Sequence, residues 1–221
     1  EEKAPPWHDE LALSLWYGAA LPLWRRAGGG QAAARRVVAL TRACEDEMRA
    51  LDDAALRRQA QALRLEMRRG SFAAPAVARF FAVVREAGGR VLGKRHYDSQ
   101  VHAGWLLLQG TLAEMATGEG KTFAATLPAC AAALAGLPVH VITVNDYLAA
   151  RDAETMAPLY AFFGLRCSAI VHGMTRDERR QVYAGDVAYC SNKELTFDYL
   201  RDRTALGDRA SALHRAVAAV A

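Results

Sequence analysis

Cysteine is scarce in this sequence, and its placement excludes two kinds of structural cross-link. The 221 residues contain four cysteines, which lie far apart and form no CxxC pair. No histidine stands at metal-ligand spacing from any of them, so neither a zinc site nor a disulfide framework is indicated. Reduced, core-packed thiols in a cytosolic compartment fit this pattern best.

Strong charge of one sign is also lacking. Lys and Arg number 28 against 24 Asp and Glu, which gives a net charge of +4. So small an excess does not indicate a nucleic-acid or membrane partner. Only four of the 28 basic residues are lysines, so a lysine inside a motif carries more weight: Lys3, Lys94, Lys121 and Lys193.

The motifs of several enzyme classes are missing. The chain has no GxSxG and no HExxH, and its six histidines form no ligand-spaced pair, so each is expected to be structural. No apolar strand ends in DExx or DExD, the carboxylate that a triphosphatase uses to hold magnesium. Asp146 is the nearest imitation, and we expect it to cap the following helix instead. No catalytic residue is therefore assigned.

One stretch is long enough to suggest a membrane span. The 24 residues between Lys121 and Asp146 carry no formal charge. Much of the stretch is alanine, and two prolines and a glycine interrupt it, so a buried helix followed by a buried strand is favoured. The N-terminus is acidic, unlike a signal peptide. The chain starts with Glu1, and its last residues still have a helical pattern, so both ends are expected to be cut from a longer chain.

Residues 1–30 form an extension that closes with three glycines at 28–30, typical of a linker. Trp7, Trp16, Trp24 and the pair Arg25-Arg26 suit an interfacial helix on anionic lipid. Pro22 would interrupt such a helix, and docking on the protein's own core is the favoured alternative.

Residues 31–110 are expected to form a helical preface, because apolar residues recur at spacings of three and four. Asp52 or Asp53 is the expected N-cap of the second helix, Gly70 its stop, and Pro75 lies near the start of a third. The third helix carries four large apolar residues, Phe80, Phe81, Val83 and Val84. The acidic cluster 45–47 and the pair Arg68-Arg69 are expected on solvated faces.

After Gly110, short apolar runs alternate with helical segments. We predict strands at 111–115, 139–144, 167–172 and 186–190, with helices at 121–134, 147–163 and 177–184 and closing helices after them. Such alternation predicts an α/β fold with a parallel sheet covered by helices on both faces.

The strongest local signal is the segment MATGEGKT, residues 115–122, between a predicted strand and a predicted helix. Gly118 and Gly120 let the backbone curl so that its N–H groups face a polyphosphate at the positive helix end. Lys121 would neutralise phosphate oxygens, and Thr122 would ligate Mg²⁺. Met115 replaces the first glycine of the full motif, so this is the shorter TGxGKT form. A glycine-rich turn before a helix is the alternative.

Several blocks in order resemble the SecA family, the ATPase motors of bacterial preprotein translocation. The resemblance covers residues 33–204 and rests on the segments FAVVREAGGRVLGKRHYDSQ (81–100), LAEMATGEGKT (112–122), VHVITVNDYLAARDAETMAPLYAFFGL (139–165) and NKELTFDYLRDR (192–203).

The resemblance implies a RecA-like first nucleotide-binding domain over residues 111–221, incomplete at its end, after the helical preface. It implies that Gln100 reads adenine, where the residue alone would suggest only a surface amide. It also assigns phosphate and Mg²⁺ contacts to Gly118, Glu119, Gly120, Lys121 and Thr122. Arg151-Asp152 and the 198–202 segment match motor motifs, but helix-surface salt bridges explain them equally well.

The implied cofactors are ATP and Mg²⁺, and the implied partners are unfolded preproteins and a SecYEG-type membrane channel. The resemblance places the protein in the cytoplasm and at the cytoplasmic face of the inner membrane, with a homodimer as one option. Lys94 replaces an apolar residue of the family, and Ala116 a basic one, which is typical of a divergent SecA-like paralogue. The magnesium-binding DExD motif and the second nucleotide domain would lie beyond Ala221.

Two other functions are left open. A superfamily 2 nucleic-acid helicase shares TGEGKT, but no basic stripe is present and no nucleic acid is expected. A truncated, non-catalytic ATP-binding module is the other alternative.

Overall fold

In the computed structural model, residues 29–69 and 72–206 are described. Five helices come first: α1 (Gly29–Ala43), α2 (Glu45–Ala50), α3 (Asp53–Arg69), α4 (Ala74–Leu92) and α5 (Asp98–Leu108). Three strands then alternate with four helices: α6 (Lys121–Leu134), β1 (Val139–Thr143), α7 (Asp146–Phe162), β2 (Cys167–Ala169), α8 (Arg176–Tyr183), β3 (Val187–Ser191) and α9 (Asn192–Leu206).

The sheet has the order β1-β3-β2, and both pairings are parallel. Val187 of the central strand lies opposite Val139 on one side and Cys167 on the other. All five residues of β3 are buried, as expected for the centre of a parallel sheet with helices on both faces. The α/β prediction is confirmed.

Alternate residues of β3 face two different clusters. Val187 and Tyr189 belong to the main core, which also includes buried residues of the first helices. Ala188 and Cys190 belong to a smaller cluster with Ile170 and Val182 on the opposite face. The helical preface and the sheet therefore share a continuous core. The proposed boundaries at residues 30 and 110 stay predictions.

Helix α4 lies at the centre of the preface. Pro75 occupies its first turn, as predicted, where a missing N–H costs nothing. Its aromatic and β-branched residues from Phe80 to Val84 are fully buried. Near its end, Gly88 permits a close approach, since a Cβ there would lie 3.2 Å from the ring of Phe123 and 3.1 Å from the carbonyl oxygen of Lys94.

The strand predicted at 111–115 is wrong. Residues 111–116 have no regular secondary structure, and the side chain of Leu112 is 91% exposed. A strand requires a neighbour to complete its hydrogen-bond ladder, and in the described part of the chain this segment pairs with none. Its backbone instead continues the end of α5, where Thr111 N–H donates to the carbonyl of Leu106.

Other expectations differ in detail. Helix α3 begins as predicted, with the Asp52 carboxylate accepting from the N–H of Ala55 at 2.6 Å, and it ends at Arg69; Gly70 lies outside the described residues. The acidic cluster is not merely solvated, because Glu45 pairs with Arg85 at 2.6 Å and Glu47 pairs with Arg79. Tertiary ion pairs therefore join α2 to α4.

Asp146 does not cap α7. Asn145 does, since its side-chain oxygen accepts from the N–H of Leu148 at 2.9 Å. The Asp146 carboxylate instead accepts from the hydroxyl of Ser191 at 2.6 Å and from the N–H of His172 at 2.8 Å. These bonds lower the pKa of Asp146, with the Ser191 bond as the largest cause.

Among the described residues, no helix combines the length and the apolar character that crossing a membrane requires. The uncharged stretch forms α6 and β1 instead, as predicted. Residues 1–28 lie outside the described part, so the lipid and core-docking interpretations of that segment both remain predictions.

Candidate nucleotide-binding site

The loop between α5 and α6 brings the predicted phosphate-binding residues together. Gly118 and Gly120 have φ angles of +89° and +77°, a left-handed backbone that favours glycine. Helix α6 then begins at Lys121, with Gly120 as its N-cap. The sequence prediction of this helix start is confirmed.

Backbone N–H groups at the start of α6 are available to a ligand. The N–H of Ala124 donates to the carbonyl of Gly120 at 2.9 Å and closes the first helical turn. Within the described ranges, no acceptor pairs with the N–H groups of Gly120, Lys121 and Thr122. These N–H groups, together with the positive end of the helix, suit an anion.

Two charged side chains of the loop bind the backbone of the same residue, Ala116. The Lys121 ammonium donates to the carbonyl oxygen of Ala116 at 2.9 Å, and the N–H of Ala116 donates to the Glu119 carboxylate at 3.1 Å. All three residues are exposed. The charges that would meet a polyphosphate are therefore engaged by the loop itself.

Gln100 is buried, so the interpretation as a surface amide is wrong. It is 4% exposed, and its side-chain oxygen accepts from the N–H of Tyr97 at 2.9 Å. Its side-chain nitrogen donates to the carbonyl of Glu119 at 2.8 Å and lies 3.4 Å from that of Gly120. The amide thus connects the start of α5 to the phosphate loop. Its role toward adenine stays a prediction.

The residues around Gln100 fix the segment RHYDSQ by different means. Arg95 pairs with Glu86, and Asp98 pairs with Arg42 and, at 3.1 Å, with Arg85. Burial alone would raise the pKa of Asp98, but the two guanidinium groups hold it below its usual range. These ion pairs tie the segment to α1 and α4.

His96 of the same segment is fully buried against α6. Its ring stacks on Phe123 with centroids 3.7 Å apart, and its Nε2 lies 3.1 Å from the Phe123 carbonyl oxygen. Because a carbonyl only accepts, Nε2 carries the hydrogen and donates it. Burial lowers the pKa of His96 to about 3, so the ring is neutral at pH 7. The expectation of a structural histidine is confirmed here.

Asp152 contacts the end of the MATGEGKT segment, although its sequence pattern predicts only a salt bridge with Arg151. Arg151 and Asp152 do form the expected salt bridge, at 2.6 Å. Asp152 is only 6% exposed, however, and its other oxygen accepts from the Thr122 hydroxyl at 3.2 Å. Thirty residues separate this pair, and no local pattern indicates such a contact.

The block at 198–202 forms ion pairs within α9 and across to α8, and the pair of Asp198 with Arg179 is largely buried rather than on the helix surface. Asp198 accepts from Arg179 and Arg201, each at 3.0 Å, and Asp202 lies 4.0 Å from Arg176. Arg179 is buried and also pairs with Glu194 at 2.5 Å. The pairs that Arg176 and Arg179 form tie α8 to α9.

Metal-ligand clusters of at least three His, Cys, Asp or Glu residues do not occur in the described ranges. The fit of a magnesium ion therefore depends on the Thr122 hydroxyl, on Asp152 beside it, and on oxygens that a bound nucleotide would bring. Hard oxygen donors of this kind match Mg²⁺, which is bound through few protein groups and substrate phosphates. The free N–H groups and Lys121 fit the phosphates.

The parallel sheet, the helices on both of its faces and the glycine-containing loop before α6 define an α/β protein of the RecA-like class. The family comparison is narrower, since residues 25–220 match the model of the SecA DEAD-like domain. The chain belongs to the SecA family.

Individual relatives agree with this assignment. The chain is 49% identical over 187 residues to the protein translocase subunit SecA 2 of Bordetella avium, covering 85% of this chain and 27% of that one. It is 51% identical over 160 residues to the protein translocase subunit SecA of Bdellovibrio bacteriovorus, covering 72% and 18%. It is 48% identical over 172 residues to the protein translocase subunit SecA of Acidithiobacillus ferrooxidans, and this match covers 78% of this chain and 19% of that one. The chain spans about a fifth to a quarter of the length of these relatives.

Proposed function

We propose that this chain is the ATP-binding portion of a motor that couples ATP hydrolysis to protein translocation across the bacterial inner membrane. Family membership and the names of the relatives, protein translocase subunits, support the motor function. One observation within the chain supports the nucleotide site above all others. The backbone N–H groups at the start of α6 have no acceptor among the described residues, and they lie beside the side chains of Lys121 and Thr122. The same comparisons give no support to a nucleic-acid helicase.

Each part of the loop has a distinct task in this proposal. The N–H groups of Gly120, Lys121 and Thr122 donate to phosphate oxygens, and the Lys121 ammonium leaves the Ala116 carbonyl to neutralise them. Mg²⁺ supplies charge neutralisation of the phosphates when it is bound, and Thr122 ligates it. Gln100 recognises adenine through its side-chain amide.

The proposed partners are unfolded preproteins and a SecYEG-type membrane channel. The proposed location is the cytoplasm and the cytoplasmic face of the inner membrane. The relatives are described as translocase subunits, and translocation requires both a substrate chain and a path across the membrane.

Titration calorimetry with MgATP tests the nucleotide site directly. Lys121→Ala should lower the affinity at least about tenfold, because the variant loses the ammonium that neutralises the phosphates. Lys193→Ala is the matched control, since it removes an exposed lysine at the start of α9. Equal affinities for Lys121→Ala and the wild type would contradict the phosphate-loop assignment.

The intact mass of the native protein, captured from its own cells with an antibody against this chain, separates a motor from a truncated module. A mass several-fold above 24.0 kDa supports the motor. A mass near 24.0 kDa with tight nucleotide binding and no turnover supports the module.

A further inference from the structure

Asp152 of α7 lies directly beside the first turn of α6. Its side chain is nearly fully buried, and Oδ2 accepts from the Thr122 hydroxyl at 3.2 Å. The other oxygen, Oδ1, accepts from Nε of Arg151 at 2.9 Å and from Nη2 at 2.6 Å. Both oxygens of the buried carboxylate are therefore paired, as its burial requires.

The hydroxyls of helical threonines in this structure bond in two ways, and that of Thr41 crosses from α1 to the Ala78 carbonyl oxygen on α4 at 3.1 Å. Those of Thr126, Thr155 and Thr196 donate to a carbonyl one turn back in their own helices, at 2.7 to 2.8 Å. Threonine commonly makes this bond in a helix. Thr122 instead donates across to a carboxylate on another helix.

The direction of the hydroxyl hydrogen decides what the oxygen can bind. A hydroxyl has one hydrogen and two lone pairs. When the hydrogen points at Asp152, the lone pairs are left for a cation. Groups that hold a metal ligand in the correct orientation in this way typically change metal affinity by about 10- to 100-fold.

We propose that Asp152 is a positioning residue that orients the Thr122 hydroxyl toward the divalent cation bound with the nucleotide. Arg151 holds the carboxylate in place through its second oxygen. This inference rests on the proposed nucleotide site and adds to it a residue on α7, outside the phosphate loop.

The test measures the affinity for ATP with Mg²⁺ and with EDTA, and takes the ratio of the two as the readout. Asp152→Asn should lower this ratio about tenfold and leave the affinity in EDTA within about twofold. Glu154→Gln, an exposed acid on the same helix, is the matched control and should not change the ratio. A thermal melt of each variant reports whether it is folded.

The double variant shows whether Asp152 acts through Thr122. Thr122→Val keeps the side-chain shape and removes the hydroxyl, so it should lower the same ratio. Adding Asp152→Asn to it should then have no further effect, because groups that act as a unit are not additive. Additive losses would overturn the proposal.

A second variant covers the case in which Asp152→Asn does not fold. Asp152→Glu keeps the charge and the Arg151 partner but displaces the carboxylate, and it should also lower the ratio. An unchanged ratio in a folded Asp152 variant overturns the proposal while the nucleotide site stands. Failure of the wild type to bind ATP in either buffer overturns the nucleotide site itself.

Discussion

Gly120 lies directly against the side-chain amide of Gln100. A Cβ at position 120 would stand 2.5 Å from Nε2 of Gln100, and the φ angle of +77° at this position already disfavours any other residue. An alanine at position 120 would therefore have to displace the buried Gln100 amide as well as adopt a left-handed backbone. The same Nε2 of Gln100 donates to the carbonyl oxygen of Glu119 at 2.8 Å.

Gly120→Ala should destabilise the protein by about 2 to 3 kcal/mol, because left-handed strain adds to the loss of a hydrogen bond. Gly164→Ala is the control, since Gly164 has a φ angle of +73° and a Cβ added there would meet no atom within 4 Å. Strain alone should cost about 1 kcal/mol there. Urea denaturation measures both values. Equal losses would show that the contact with Gln100 is unimportant.

His96 should make stability fall as the solution becomes acidic. Its pKa is about 3 in the folded protein against about 6.5 when unfolded, so the unfolded state binds more protons between these values. The contribution of the neutral His96 ring to the free energy of unfolding is therefore complete above pH 6.5, and it is lost as the pH falls toward 3. The loss at pH 5 amounts to about 2 kcal/mol.

The measurement is the free energy of unfolding at pH 7 and pH 5. His96→Gln should be less stable at pH 7 and should lose less stability between the two pH values. His140→Gln changes an exposed histidine and should keep the wild-type difference. If His96→Gln lost as much stability between pH 7 and pH 5 as the wild type does, the acid sensitivity would come from other groups.

The buried hydroxyls of Tyr160 and Tyr189 pair with each other at 3.1 Å. Either single change to Phe leaves one buried hydroxyl without a partner and should cost about 1 to 2 kcal/mol. The double variant removes both hydroxyls and should be about as stable as a single one, or more so. Thermal unfolding of all four proteins gives the coupling energy, and strictly additive losses would contradict the pairing.

Glu119→Gln should strengthen ATP binding about threefold to tenfold. The carboxylate accepts from the N–H of Ala116 at 3.1 Å, so it places a negative charge within the loop that is to receive phosphates. Glu114→Gln removes an exposed charge just before the loop and is the control. Calorimetry at two salt concentrations checks the cause, because screening should shrink an electrostatic gain. Weaker binding by Glu119→Gln would indicate that the carboxylate supports the loop.

Local patterns were sufficient for the start of α6 and for the strands β1 and β3. The start of α6 at Lys121 follows from glycines placed before an apolar run, and β1 and β3 follow from short apolar runs between turns. In such segments, the spacing of the apolar residues and the glycines or prolines that end the element lie within a few residues of each other. The predicted ends were within a few residues of the observed ones.

The errors occurred where distant residues decide the outcome. Asn145 and Asp146 are both good caps by type, and only the approach of Ser191 and His172 takes the Asp146 carboxylate elsewhere. The segment 111–115 has no neighbour to pair with in the described ranges. The contact between Thr122 and Asp152 likewise depends on how α6 packs on α7, which no short motif encodes.

The stack of His96 on Phe123 packs the segment between α4 and α5 tightly against the first turn of α6. Its rings are 3.7 Å apart and nearly parallel, and Gly88 of α4 lies against the same phenyl ring. Close-packed interiors have low compressibility and transmit strain rather than absorb it. A displacement of the first turn of α6, which follows the phosphate loop, should therefore be passed to α4 and through it to the rest of the preface.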